Sequence, residues 1–291
     1  MKTYLECYPC FLRHALEASK IAGLDEERKK QILNSTMDIL KSIALNASPP
    51  HIAKLIHRKI RELSGLRDPY RSIKDRQNSG MLKMEGRLKR YIIKSPMPII
   101  QALRLAGSCN AIDMGPSRNW EEVDELLSDL FNPDIGRFEY ERFLERLKQT
   151  KRLLYIVDNA GEIVGDKLMI STIKEYKEDV EVVVAVRDKA VLNDATLQDA
   201  KEIGIDRVAD KLITTGIDAP GAILSECSEE FLDTFKRADL IISKGQGNYE
   251  ALDKEKREGL FFLLQIKCKV VSKDLQEPIG KIVLQESLSI A

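Results

Sequence analysis

The sequence predicts an α/β fold in which a mainly parallel sheet is covered by helices on both faces and preceded by an N-terminal helical domain. Residues 1 to about 135 carry apolar residues at helical spacing, and from Lys151 onward short apolar runs alternate with helical patterns. Such alternation is typical of parallel strands joined by crossover helices. We therefore predict a helical domain over residues 1–135 and an α/β domain over residues 136–291.

In the helical part, glycine and proline mark the ends of the segments. Gly23 ends the first helix, Pro49-Pro50 precedes the third, and Asp68-Pro69-Tyr70 forms a turn. Further helices are predicted over residues 81–93, 98–106 and 120–130, and residues 108–116 are predicted to form a polar loop.

In the α/β part, apolar runs predict strands and amphipathic patterns predict helices. The predicted strands cover residues 153–157, 180–186, 240–243, 260–266 and 282–284. The predicted helices cover residues 138–149, 163–176, 193–203, 219–226 and 229–237. Residues 207–213 are ambiguous between strand and helix, and the order of the strands does not follow from the sequence.

Composition excludes some classes of function. The 291 residues include 46 basic and 46 acidic side chains, so net charge gives no argument for binding to nucleic acid or to an anionic membrane. No apolar run is long enough to span a membrane, and the first residues lack the apolar region of a signal peptide. Five cysteines, an odd number and mostly scattered, predict a reducing compartment and hence a cytoplasmic protein.

The stretch from residue 153 to residue 166 organises the α/β part. Five apolar residues are followed by Asp158 and Asn159, then by a turn through Gly161 into a helical pattern that contains Glu162 and Asp166. The two oxygen-bearing side chains are thereby placed at the carboxyl edge of the sheet, where open α/β folds bind ligands. The alternative is that Asp158 and Asn159 only cap the next helix.

Two further strands end in polar clusters. Arg187 follows one strand, with Asn193 and Asp194 shortly after it, and these last two are candidate caps for the next helix. Lys244 follows another strand and opens a glycine-rich loop that can bring backbone N–H groups and an ammonium to a phosphate. It lacks the order of a Walker P-loop, and the alternative is that it is only a turn.

Because parallel strands end at the same edge of a sheet, the three clusters are predicted to form one site. Two carboxylates and an amide suit a hard divalent cation, and a lysine and an arginine suit a phosphoryl group. This combination of ligands is typical of phosphoryl transfer assisted by a metal ion.

Cys7 and Cys10 lie one turn apart, with His14 a further turn along the same face. We interpret the cysteines as half-buried residues of a helix that faces the core. A structural zinc site would need a fourth ligand, and a redox CxxC belongs in a thioredoxin-like context that is missing here.

The chain resembles the DUF89 proteins, the metal-dependent damage-control phosphatases, and in particular their prokaryotic and archaeal branch with an N-terminal CxxC. The resemblance rests on motifs that run in family order over nearly the whole chain: Cys7-Tyr8-Pro9-Cys10, Asp68-Pro69-Tyr70, Asn110-Ala111-Ile112-Asp113-Met114-Gly115, Val157-Asp158-Asn159-Ala160-Gly161-Glu162, Asn193-Asp194-Ala195-Thr196 and Lys244-Gly245-Gln246-Gly247-Asn248-Tyr249-Glu250.

This resemblance implies a three-layer Rossmann-like domain, with the helical domain over the site, and a divalent metal such as manganese, nickel, cobalt or magnesium. It implies that Asp158, Asn159 and Asp194 hold the metal and that Lys244 contacts the phosphate. The remaining residues expected to line the pocket are Asn110, Asp113, Glu162, Arg187 and Asn248. Cys109 departs from the small residue expected before Asn110.

The expected function is a metal-dependent phosphatase that hydrolyses small phosphorylated metabolites, such as sugar phosphates or damaged cofactor intermediates. The D-x-D pattern of aspartyl-phosphate enzymes is absent after the first predicted strand, which favours direct attack by water. Two alternatives remain: a sensor that binds the metal and the phosphorylated metabolite without turnover, and a carboxyl methyltransferase, for which Ala160-Gly161 is a poor nucleotide-binding turn.

Overall fold

The computed structural model describes residues 1–111 and 123–290, and the side chains of residues 1–110 and 127–290. The helices are α1 (Cys7–Ile21), α2 (Glu26–Ser42), α3 (Pro49–Ser64), α4 (Arg71–Ile93), α5 (Pro98–Ala111), α6 (Val123–Phe131), α7 (Tyr140–Gln149), α8 (Ile163–Tyr176), α9 (Leu197–Ile203), α10 (Glu229–Arg237), α11 (Gly245–Leu252) and α12 (Lys269–Leu275). The strands are β1 (Ile135–Phe138), β2 (Arg152–Ile156), β3 (Glu181–Val186), β4 (Lys211–Thr214), β5 (Leu240–Lys244), β6 (Leu260–Gln265) and β7 (Ile282–Glu286).

The seven strands form one sheet in the order β1-β7-β6-β5-β2-β3-β4. The five strands from β6 to β4 are parallel, whereas β7 runs antiparallel to β6 and pairs in parallel with β1. The prediction of an α/β fold with a mainly parallel sheet is therefore confirmed. The chain continues from β2 to β3 on one side and returns to β5 on the other, so the sheet has a topological switch point between β2 and β5.

Two apolar cores cover the two faces of the sheet and give the fold its three layers. One face packs against α4, α5, α7, α8 and α9, and the other packs against α10, α11 and α12. Strand residues such as Leu153 and Tyr155 point into the first core, and Leu154 and Ile156 point into the second, as the two-residue period of a strand requires.

Helices α1, α2 and α3 have a separate small apolar core. Ion pairs join α3 to the α/β part: Arg58 and Arg61 bind Asp218, and Lys54 binds Glu226. Because α4 and α5 share the core of the sheet, the division into domains at residue 135 stays a proposal.

Several sequence-based boundaries need correction. The predicted helix over 138–149 begins at Tyr140, because Ile135–Phe138 forms an edge strand. The predicted helix over 219–226 is wrong: the segment forms only a short 3-10 turn at Leu224–Glu226, after Pro220 and a Gly221 that approaches the carbonyl oxygen of Gly247. Within the described part of the chain, no helix combines the length and the apolar character needed to cross a membrane.

Candidate metal and phosphate site

Two loops at the carboxyl edge of the sheet bring the predicted metal ligands together. Asp158 and Asn159 follow β2, and Asp194 lies in the segment that follows β3. The loops pair through an isolated antiparallel bridge between Asn159 and Asp194, and the Ala195 amide donates to the Asp158 carbonyl oxygen at 2.8 Å. The predicted meeting of these three residues is therefore present in the structure.

None of these side chains caps a helix. Helix α8 begins after Glu162, whose side chain makes no capping hydrogen bond. Helix α9 is capped by Thr196, which forms a reciprocal capping box with Asp199. The alternative that Asp194 or Asn193 caps α9 is therefore wrong.

Two amides surround the carboxylate of Asp158. Nδ2 of Asn110 donates to Asp158 Oδ2 at 3.1 Å and to Glu162 Oε1 at 2.9 Å. Nδ2 of Asn159 makes the same pair of bonds, at 3.0 and 2.8 Å, so its Oδ1 is the atom that a cation would meet. Asn110 is buried at the end of α5, which corrects the prediction of a loop there. Asp113 lies outside the described residues.

Arg187 is buried on the opposite side of Asp158. Its Nε donates to Asp194 Oδ2 at 2.7 Å, and its Nη2 lies 3.8 Å from Asp158 Oδ1. Only 1% of the residue is exposed, yet neither Nη1 nor Nη2 has a hydrogen-bond partner among the described residues. A buried charged donor without a hydrogen-bond partner costs free energy of folding, so we expect this guanidinium to bind an anion or ordered water.

Lys244 lies at the end of β5 and is fully buried. Its Nζ donates to Asp166 Oδ1 at 2.6 Å and lies 3.8 Å from Glu162 Oε2, while the Tyr155 hydroxyl donates to the same Asp166 oxygen at 2.7 Å. Burial alone would lower the pKa of Lys244, but the charges of Asp166 and Glu162 raise it, so the ammonium stays charged.

Helix α11 begins at Gly245, so the predicted loop after Lys244 is instead the first turn of a helix. Gly245 has φ +80°, and a Cβ placed on it would lie 1.9 Å from Asp158 Oδ2. Asn248, one turn further, donates to the carbonyl oxygens of Val157 and Lys244 and accepts from the Ala222 amide. Its amide group thus bonds the backbone at the ends of β2 and β5 and in the segment that contains Ala222.

The site holds more acid than base. Burial, followed by the charge of Asp158, raises the pKa of Glu162 to about 7. Burial likewise raises the pKa of Asp194 to about 7, with Arg187 opposing the shift and Asp158 adding to it. The buried cluster contains four carboxylates against two basic side chains: Asp158, Glu162, Asp166 and Asp194 against Arg187 and Lys244.

A divalent cation fits this cluster. With every group ionised, the carboxylates exceed the basic groups by two charges, and the donors at the Asp158 and Asp194 loops are hard oxygens. Within residues 1–110 and 127–290, no three Cys, His, Asp or Glu side chains alone form a metal site, so the amide oxygen of Asn159 is needed as a third donor.

The same finding bears on the N-terminal cysteines. Cys7 and Cys10 are free and half-buried at the start of α1, as interpreted from the sequence, and burial raises the pKa of Cys7. Together with His14 they form no metal site among the described residues. Cys109 is fully buried where α5 meets α8, because Gly165 leaves room for its sulfur.

Sequence reasoning missed two residues of α4 that support the site. Asn78 Oδ1 accepts from the Gly161 amide at 2.7 Å, and Asn78 Nδ2 donates to Asp199 at 3.2 Å. Gln77 accepts from Asn193 at 3.4 Å. Both are buried and share one stripe of α4 with apolar residues, so polar residues within an apolar helical stripe were the available signal.

The fold and the site together define a Rossmann-like α/β protein with an acidic, oxygen-rich centre between two buried cations. The family model of the damage-control phosphatase ARMT1-like domain matches residues 3–283. The chain therefore belongs to this family.

Similar proteins from archaea span almost the full length. An uncharacterized protein of Methanocaldococcus jannaschii is 35% identical, with 96% of this chain and 93% of that protein covered. A damage-control phosphatase of Pyrococcus horikoshii is 31% identical, with 97% of each chain covered. The crystal structure of a DUF89 family protein from Pyrococcus horikoshii matches with a TM-score of 0.91 at 30% identity, over 99% of each chain.

Proposed function

We propose that the protein is a divalent-metal-dependent phosphatase that hydrolyses monoesters of small phosphorylated metabolites. The observation that carries the proposal is the buried Arg187, whose two terminal nitrogens have no hydrogen-bond partner among the described residues, beside a cluster of carboxylates. The guanidinium nitrogens of Arg187 can bind an anion, and the carboxylates beside them can bind a cation. A phosphoryl group and a divalent metal would supply both. The family of the chain and the names of its relatives point to the same reaction.

In this proposal Asp158, Asn159 and Asp194 hold the metal, which is one of manganese, nickel, cobalt or magnesium. When bound, the metal would act as a Lewis acid and lower the pKa of a water molecule. Nη1 and Nη2 of Arg187 would donate to phosphoryl oxygens. Lys244, fixed by Asp166, would stabilise negative charge that develops on the phosphoryl group.

The remaining polar residues keep this arrangement in place. Asn110 orients the carboxylates of Asp158 and Glu162 through the bonds described above. Asn248 fixes the backbone at the start of α11 and thereby the position of Lys244. We include a cytoplasmic location in the same proposal because the five cysteines are odd in number, mostly scattered and free. We include a small metabolite rather than nucleic acid because basic and acidic residues balance over the chain.

The test is phosphate release from a panel of sugar phosphates and an aryl phosphate, after chelation and reloading with each of the four metals. We expect turnover only with metal, and a loss of at least about 100-fold in Asp158→Asn, which keeps the shape of the side chain but removes its charge. Asp206→Asn, an exposed carboxylate on the turn after α9, is the matched control. Turnover without metal, or full activity in Asp158→Asn, would contradict the proposal.

A further inference from the structure

A groove of about 700 Å³ lies beside the proposed reaction centre, between the α3–α4 loop and the segment that joins β3 to α9. Its charged lining consists of three basic and three acidic residues: Arg61, Glu62, Arg67, Asp68, Asp188 and Lys189. The second wall is the same segment that carries Asp194, so the groove and the proposed metal site share one loop.

The groove adjoins the proposed metal site along the chain. Lys189 is two residues after Arg187, and Thr196 is two residues after Asp194 and pairs with Arg187 in a backbone bridge. Consecutive Cα atoms are about 3.8 Å apart, so each rim residue lies within about 7.6 Å of its neighbour in the site, measured between Cα atoms.

Two cations of the groove have no partner in the described part of the chain. Arg67 and Lys189 are both exposed and take part in no ion pair or hydrogen bond there. By contrast, Arg61 binds Asp218, and Asp68 binds Lys74 at 3.0 Å.

Asp188 has no ion pair among the described residues either. Its carboxylate only accepts a hydrogen bond from the Thr214 hydroxyl at 3.3 Å. Glu62 binds Lys59 at 2.9 Å, so the groove offers two cations and one carboxylate that have no ion pair in the described part of the chain.

The walls of the groove are fixed before any ligand binds. Arg61 Nη1 donates to the Ala190 carbonyl oxygen at 2.7 Å, which anchors α3 to the β3–α9 segment. Lys74 is fully buried and bonds both Asp68 and Asp199, and it joins the other wall to the start of α9. Leu192, in the same segment, has φ +49°, a conformation that non-glycine residues adopt mainly where the surroundings impose it.

We propose that this groove selects substrates with a second anionic group, a carboxylate or another phosphate, at the end opposite to the phosphate that is hydrolysed. Arg67 and Lys189 bind that group, and Asp188 accepts hydrogen bonds from hydroxyls of the carbon chain. This inference rests on the proposed phosphatase function and names its substrate class: hydroxylated metabolites that carry a second anionic group besides the phosphate. Preformed walls lower the entropy cost of binding such a flexible molecule.

The experiment measures dissociation constants by calorimetric titration in the presence of Mn²⁺. The temperature is kept low enough that no phosphate is released during the titration. The probes are two matched pairs: 6-phosphogluconate against glucose 6-phosphate, and fructose 1,6-bisphosphate against fructose 6-phosphate. The first pair tests a carboxylate and the second tests a phosphate as the second anion. We expect at least one probe with two anionic groups to bind about 10-fold more tightly than its partner with only the phosphate.

Variants then distinguish binding by the groove cations from attraction by the overall charge of the protein. We expect Arg67→Gln and Lys189→Gln each to reduce that preference by about 3- to 5-fold without changing the affinity for the singly anionic probe. Arg76→Gln on α4 and Lys201→Gln on α9 remove exposed charges outside the groove and are the controls.

Equal affinities within both pairs, or a preference that survives both groove substitutions, would overturn the inference. Failure of the phosphatase proposal is distinct, because it leaves the binding preference intact with no phosphate released.

Discussion

Replacement of Gly245 by alanine should remove most of the activity while the protein stays folded. Gly245 is the first residue of α11 and has φ +80°, and a Cβ there would lie 1.9 Å from Oδ2 and 2.2 Å from Cγ of Asp158. Ordinary contacts between heavy atoms need about 3.5 Å, so Gly245→Ala must displace the Asp158 carboxylate by about 1.5 Å. The carboxylate cannot keep its place among Asn110, Asn159 and Arg187 after such a shift.

The expected size of the effect follows from two separate costs. Alanine at positive φ destabilises a protein by about 1–2 kcal/mol, which should lower the melting temperature by a few degrees. A displacement of about 1 Å in a reacting group costs about 100-fold in rate. We therefore expect Gly245→Ala to remain folded and to lose at least about 100-fold in kcat/KM.

The assay is metal-dependent phosphate release, measured together with thermal unfolding by circular dichroism. Gly23→Ala is the matched control, because Gly23 has φ +68° after α1 and a Cβ added to it would meet no described heavy atom within 4 Å. It should show the same loss of stability and unchanged activity. Activity in Gly245→Ala within a few-fold of wild type would refute the placement of Asp158 at the reaction centre.

Two further predictions concern buried ion pairs. Asp166→Asn should destabilise the fold by about 3 kcal/mol and lower kcat at least 10-fold, because Lys244 loses its anionic partner. Tyr155→Phe keeps the carboxylate and is the control, which should change kcat less. Equal kcat in Asp166→Asn and wild type would show that Asp166 does not support Lys244 in the reaction. Asp218→Asn should cost about 1–2 kcal/mol at pH 7, measured by urea unfolding. Burial would raise the pKa of Asp218, but Arg58 and Arg61 lower it from 3.8 to about 2, so its stabilisation is present above pH 4 and is lost as the pH falls through 2. The difference between variant and wild type should therefore shrink over that range, and a constant difference would contradict it.

The elements that the sequence predicts well are those with a complete local signal. The predicted helices over 163–176 and 229–237 agree with α8 and α10 at both ends, because each joins an amphipathic pattern to clear polar boundaries. The central strands β2, β3, β5 and β6 are continuous apolar runs, as expected for parallel strands covered on both faces. The edge strand β1 has four half-buried or exposed residues and therefore carries no such signal.

The meeting of the Asp158, Asp194 and Lys244 clusters could be predicted because parallel strands end at one edge. The partners that hold these groups could not, since they come from distant parts of the chain. The Asp166–Lys244 bond joins α8 to β5, and the Asn78–Gly161 bond joins α4 to the loop after β2. Such contacts depend on the three-dimensional packing of helices, which spacing along the sequence does not encode.

The most direct test of the proposed metal site is calorimetric titration of Mn²⁺ into chelator-treated protein. We expect one ion per chain, with affinity reduced at least about 10-fold in Asp194→Asn and unchanged in Asp206→Asn. We also expect inorganic phosphate to tighten Mn²⁺ binding, because Arg187 and the metal would share the anion. Equal affinity in wild type and Asp194→Asn, or no binding in wild type, would show that the paired loops after β2 and β3 do not form a metal site.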